Sequence, residues 1–170
     1  EVNAGPGLLM HLKPAVGQPR PVGRAIVDYL FPESETGRIP IVGISGSRGK
    51  TSVARCLGHL VRLSGKFVGL ASTDGLFLNR RHVQKTDAAN WTAARRLLLN
   101  RSVETAILEN GIRAILGEGL AYDRCQVGVV TNLDPEEKYP DFSIEDTDDL
   151  YKVLRTQVDV VLKTGTSVLN

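Results

Sequence analysis

The stretch Ile41-Val42-Gly43-Ile44-Ser45-Gly46-Ser47-Arg48-Gly49-Lys50-Thr51-Ser52 constrains this chain more than any other, because an apolar run breaks there into two glycines, a lysine and two hydroxyls. It reads as a strand that delivers a phosphate-binding loop to the start of a helix. Gly46 and Gly49 let the backbone turn tightly and bring successive N–H groups close to a bound anion, while a helix opening at Lys50 adds its positive end. Gly46, Ser47, Arg48, Gly49, Lys50, Thr51 and Ser52 are therefore candidate nucleotide-binding residues. Lys50 would neutralise terminal phosphate charge, and Thr51 would offer its hydroxyl to Mg²⁺. Ile44 stands where the standard eight-residue pattern has its first glycine, which leaves the shorter Gly-x-x-Gly-Lys-Thr-Ser. An ordinary strand-to-helix turn with an exposed lysine is the competing reading.

Composition sets the frame around that loop. With 170 residues, 42% of them hydrophobic, the chain can bury one sizeable core. Its 21 basic and 19 acidic residues are mixed without a basic block, so neither composition nor charge points to a nucleic acid. No apolar run approaches the roughly 18 residues needed to span a bilayer, which argues against a membrane partner. Cys56 and Cys125, and likewise His11, His59 and His82, are scattered rather than paired at metal-ligand spacing. Two small buried thiols in a reducing compartment, the cytoplasm, are the expectation.

Residues 1–36 are rich in proline and glycine around one amphipathic stretch at 22–30, and read as a connector. From residue 37 onward strands and helices alternate. Strands are expected at 39–45, 67–73, 105–109 and 127–133, with a hairpin at 76–83 turning over Asn79-Arg80. Helices are expected from Lys50 to Gly65, at 91–99, at 112–120, and through Leu150, Val153, Leu154, Val158 and Val161; a further strand opens near 167–169. This alternation predicts an α/β fold, a mostly parallel sheet with helices on both faces, whose ligands bind beyond the carboxyl ends of the strands. Thr73-Asp74, Glu109-Asn110 and Thr131-Asn132 should then share one crevice with the loop. Glu109 would ligate Mg²⁺ or orient a water there, or else cap the helix that follows it.

In this order the motifs Gly46-Ser-Arg-Gly-Lys-Thr-Ser52, Ser72-Thr-Asp-Gly75, Ala106-Ile-Leu-Glu109, Gly119-Leu-Ala-Tyr-Asp-Arg-Cys125 and Val129-Val-Thr-Asn132 resemble the P-loop central ATPase domain of the Mur ligase family, in particular its cyanophycin synthetase branch. The opening Glu1-Val-Asn-Ala-Gly-Pro-Gly7, Met10-His-Leu12 and Pro19-Arg20 are similar to the end of that branch's ATP-grasp domain and its linker. The resemblance implies an ATP-grasp tail over 1–36 and a Mur-ligase-like ATPase domain over 37–170, together a piece of a larger protein. It implies ATP and Mg²⁺ as cofactors. The implied activity is an ATP-dependent amino-acid ligase that activates an aspartate side-chain carboxylate as an acyl phosphate and adds arginine, on an aspartate/arginine polymer. By this analogy Lys50 and Glu109 are catalytic, Thr51 and Glu109 bind Mg²⁺, Asn132 lies near the nucleotide, and Glu1 and Asn3 match Mg²⁺ ligands of the other active site.

Four loops depart from the family pattern. Arg48 replaces an asparagine, where its guanidinium could grip phosphate or point to solvent. Thr86-Asp-Ala-Ala-Asn-Trp91 replaces Gly-Asp-x-Thr-Gly-Pro, and Asn110-Gly-Ile-Arg-Ala114 replaces Thr-Ala-Arg-Gly-Gly. Glu136-Glu137 replaces Asp-His, which makes Glu137 a candidate third Mg²⁺ ligand or part of a solvated acidic loop. The alternative to a working ligase is thus a divergent paralogue whose Mur-like domain is catalytically impaired and serves as a structural or homo-oligomerisation module. A small-molecule kinase would explain the loop but not the N-terminal similarity.

Overall fold

The computed structural model describes residues 7–32 and 35–170. Glu1 and Asn3 lie outside the described residues. Two compact units divide the chain, residues 1–38 and residues 39–170.

The first unit carries two helices, α1 (Leu9–Leu12) and α2 (Val22–Leu30), neither with a buried residue. Helix α2 begins directly after Pro21, whose fixed φ suits a helix entry, and ends at Phe31, which the following Pro32 biases away from helical geometry. Arg24 and Asp28 pair at 3.5 Å one turn apart on its exposed side.

The second unit is built on a seven-stranded sheet. Its strands are β1 (Ile41–Ser45), β2 (Val68–Ser72), β3 (Gly75–Leu78), β4 (Arg81–Gln84), β5 (Thr105–Glu109), β6 (Cys125–Val130) and β7 (Val161–Leu169), ordered β4-β3-β2-β5-β1-β6-β7. From β2 to β7 the neighbours run parallel, and the β3–β4 hairpin adds an antiparallel edge. Its helices are α3 (Lys50–Leu63), α4 (Trp91–Leu98), α5 (Ile112–Glu118) and α6 (Thr147–Asp159).

Strand alternation sends successive side chains to opposite faces. Ile44, Val68, Leu70, Ile107 and Val129 pack with Ala54 of α3 on one face. Ile41, Ala71, Ala106 and Leu108 pack with Ala93, Ala94 and Leu97 of α4 on the other. A third cluster joins Ile112 and Ile115 of α5 to Leu150, Val153 and Leu154 of α6. Close approach explains Gly69, where a Cβ would sit 2.3 Å from a Leu97 methyl.

The expected α/β fold, with a mostly parallel sheet, is observed. Two expectations change. Val161 does not end the long helix but opens β7, because it pairs with Cys125 and extends the parallel sheet. Cys56 is exposed, since the buried stripe of α3 runs through Ala54 and Gly58 and Cys56 falls on the opposite side. Cys125 is buried as expected, and burial pushes its thiol up to about 11. Among the described residues no helix is long and apolar enough to cross a membrane.

Candidate functional site

The loop after β1 depends on its two glycines for different reasons. Gly46 has φ +129° and lies so close to the end of β6 that a Cβ would meet the Thr131 hydroxyl at 2.3 Å. Gly49 has φ +82° and open space around it, so only its left-handed backbone calls for glycine. It is the N-cap of α3, with no side-chain cap bond there. The first-turn amides of Lys50, Thr51 and Ser52 therefore have no intrahelical acceptor, and the first amide to bond back is that of Val53, to the Gly49 carbonyl at 3.1 Å.

The segment after β6 holds this loop in shape. Asn132 bonds it three times: its carbonyl accepts from Ser47 N–H at 3.2 Å, its Oδ1 accepts from Arg48 N–H at 2.9 Å, and its Nδ2 donates to the Arg48 carbonyl at 3.2 Å. The Thr131 hydroxyl donates to that same carbonyl at 2.6 Å, and Asp134 N–H donates to Ser47 Oγ at 3.0 Å. Asn132 thus braces the loop backbone and uses two of the amides the sequence assigned to anion binding. Lys50 Nζ folds back onto the Ser47 carbonyl at 3.1 Å. The Arg48 guanidinium, 81% exposed, bonds Asp134 Oδ2 at 2.7 Å.

Glu109, at the end of β5, is 2% exposed. Its carboxylate accepts from the Thr51 hydroxyl at 3.1 Å, the Thr73 hydroxyl at 2.8 Å and the Thr73 N–H at 3.0 Å. The side chain does not cap the following helix, because the N-cap of α5 is Gly111 and no side-chain cap bond forms there. Thr51 and Glu109, matched from sequence as a metal pair, are thus in contact. Their donors are a hydroxyl and a carboxylate, hard oxygens of the kind Mg²⁺ takes. Beside them Asp74 pairs with Arg55 at 2.7 Å.

Glu137 borders the loop itself. It lines a cavity of about 260 Å³ with Ser47, Arg48, Asp134 and Glu136. One of its oxygens accepts from the Tyr139 hydroxyl, the other is buried without a partner, and no hydrogen bond joins it to Thr51 or Glu109 among the described residues. Of the other altered loops, 86–91 supplies local turns: Asp87 accepts from Ala89 N–H at 2.8 Å, and Asn90 caps α4 by accepting from Ala93 N–H at 3.0 Å.

Asn110 belongs to a network that the sequence did not reveal. Its Nδ2 donates to the Tyr122 hydroxyl and to Gln157 Oε1, both at 2.8 Å. Gln157 Oε1 also accepts from Tyr122 at 2.7 Å and from Ser45 Oγ at 3.3 Å. Gly43 makes room, since a Cβ there would meet the Tyr122 hydroxyl at 2.0 Å. Burial drives the Tyr122 phenol well above its ordinary pKa. Thr73 and Asp134 are further site residues to which the sequence assigned no role. Their position just past β2 and β6 was the only available signal.

Together the parallel sheet, the glycine loop capping α3 and the acid at the end of the neighbouring strand form one α/β architecture. The Mur ligase middle domain model matches residues 44–137, and the chain belongs to that family. It is 40% identical over 170 residues to the cyanophycin synthetases of Synechocystis sp. and Geminocystis herdmanii, and 38% identical over 173 residues to that of Crocosphaera subtropica. All of this chain is covered in each case, yet it spans only 19% of the length of these relatives. Among solved structures, UDP-N-acetylmuramoyl-L-alanyl-D-glutamate–2,6-diaminopimelate ligase superposes with a TM-score of 0.63 at 16% identity, over 78% of this chain and 26% of that one, a likeness of fold.

Proposed function

We propose that this chain is the ATP-binding middle portion of an ATP-dependent carboxylate–amine ligase, one that activates an aspartate side-chain carboxylate as an acyl phosphate for addition of arginine to an aspartate/arginine polymer. The observation that carries this reading is the contact of Thr51 with Glu109 beside the first-turn amides of residues 50–52, which have no intrahelical acceptor. Those amides and the positive end of α3 would receive nucleotide phosphates. Lys50 would exchange the Ser47 carbonyl for a phosphate oxygen. Mg²⁺ would be held by Thr51 and Glu109, and when bound it supplies positive charge that offsets the charge on the transferred phosphoryl group. Thr73 orients the Glu109 carboxylate through two hydrogen bonds. The cyanophycin synthetase names of the relatives support the aspartate and arginine assignment, and the two free thiols suit a cytoplasmic setting.

A second reading rests on the Arg48–Asp134 pair and on the Asn132 bonds that use the Ser47 and Arg48 amides. A loop tied in this way offers fewer donors to phosphate, as expected of a domain retained for its structure. Calorimetric titration of Mg²⁺·ATP decides between them. Saturable binding that weakens at least about tenfold in Lys50→Ala supports the ligase reading; no heat at millimolar nucleotide supports the structural one. This chain by itself should join no arginine to an aspartyl peptide even when it binds ATP, because attack on an acyl phosphate needs an oriented amine. Amide formation by the chain alone would contradict that division of labour.

A further inference from the structure

Helix α3 and the β3–β4 hairpin border an open cavity of about 390 Å³, within the range of small-molecule sites. Leu70 of β2 and Phe77 of β3 supply apolar lining, while Arg55, His59 and Arg62 from α3 and Arg80 from the hairpin turn supply nitrogen donors. Residues 55, 59 and 62 recur at helical spacing, so one face of α3 presents all three. Two of the guanidiniums are held in place: Arg62 donates to the Asn79 carbonyl at 3.1 Å, and Arg55 pairs with Asp74 at 2.7 Å. Asn79 itself takes a left-handed φ of +54°, which turns the chain so that Arg80 joins the rim. The side chains of His59 and Arg80 have no hydrogen-bond or ion-pair partner among the described residues.

Three guanidiniums and an imidazole thus line one cavity that has no carboxylate among its described lining residues, while Asp74 pairs with Arg55. Like charges gathered around one cavity repel, and an anion between them removes that cost. Guanidinium forks grip carboxylate and phosphate oxygens alike, and the apolar lining adds contact for a hydrocarbon or aromatic body. Phe77 is kept in place by stacking on His82, with ring centroids 4.1 Å apart. We propose that this cavity is a binding site for a small oxyanion-bearing ligand with an apolar body, using side chains that the loop at residues 46–52 does not.

Phenyl phosphate and phenylacetate are suitable probes, since they share a ring and differ in the oxyanion. Each is titrated into isotope-labelled protein followed by NMR, in the parent chain and in Lys50→Ala, where the phosphate loop is disabled. Saturable shifts at Arg55, His59, Arg62, Phe77 and Arg80 are expected, retained in Lys50→Ala, and the tighter probe identifies the oxyanion. Arg80→Gln should weaken that binding by roughly fivefold, the scale of one exposed charge contact, and His59→Ala, which removes a ring donor, should weaken it independently, each with unaltered melting. The proposal is overturned if neither probe saturates, if shifts are confined to residues 46–52 and vanish in Lys50→Ala, or if both rim variants bind as the parent does.

Discussion

Glu109 and Asn110 are neighbours in sequence, both buried, and they face opposite sides of the sheet into two different polar clusters. On the α3 side Glu109 accepts three hydrogen bonds from Thr51 and Thr73. A carboxylate has about four lone-pair sites, so it keeps capacity for a further partner. On the opposite side Gln157 Oε1 already accepts from Ser45, Asn110 and Tyr122, more than a carbonyl oxygen's two lone pairs serve well. The first cluster is open to a further partner; the second is closed. One peptide step past the end of β5 therefore separates a cluster with acceptor capacity to spare from one already saturated, and mutations on the two sides should affect different observables.

The largest effect should come from the closed side. Gln157→Leu strips three buried groups of their acceptor and should cost about 3 kcal/mol in urea denaturation, while the variant that remains folded binds nucleotide like the parent. A loss below about 1 kcal/mol would mean that these groups find other partners.

Next comes pH. Burial raises the Cys125 thiol from about 9 to about 11, so the unfolded chain releases this proton first. Between those values the folded state holds more protons, and stability must fall as pH rises; the contribution is complete below pH 9 and lost by about pH 11. The thiol accounts for about 2.5 kcal/mol at most, and Tyr122 acts in the same direction. Cys125→Ala should flatten the alkaline slope of a melting-temperature series without touching its neutral limb.

The smallest effect belongs to Arg48. Its pair with Asp134 is exposed, so Arg48→Asn should change stability by no more than about 0.5 kcal/mol. Its sharper readout is nucleotide affinity: a guanidinium that leaves Asp134 for phosphate makes Arg48→Asn bind more weakly, whereas equal or tighter binding assigns Arg48 to Asp134 alone.

The two clusters also differ in how far the sequence disclosed them. Glu109 stood out as an acid ending an apolar strand, and the loop at 46–52 is contiguous, so local pattern sufficed to pair Thr51 with Glu109. Thr73 was placed in the crevice by strand order alone. Nothing local marks the other cluster: Asn110, Tyr122 and Gln157 come from a strand end, a loop and a helix, and each polar residue taken singly reads as surface. Its one trace is Gly43 inside an apolar strand, a sign of close approach that does not say by what. The end of α6 escapes the sequence pattern for a related reason, since the apolar spacing of Val158 and Val161 continues the helix period while pairing with Cys125 is a long-range event. Glu137 is a candidate third Mg²⁺ ligand only through the family resemblance; its side chain bonds Tyr139 and lines a cavity with Ser47 and Arg48 of the loop, and the Mg²⁺ dependence of Glu137→Gln tests that role.

The most direct test of the open cluster is ATP affinity measured against Mg²⁺ concentration for the parent chain and for Glu109→Gln, with Glu137→Gln alongside. The account predicts that parent and Glu137→Gln tighten on ATP together as Mg²⁺ rises, whereas Glu109→Gln binds weakly and responds little. A Glu109→Gln curve that follows the parent's at every Mg²⁺ concentration would contradict it.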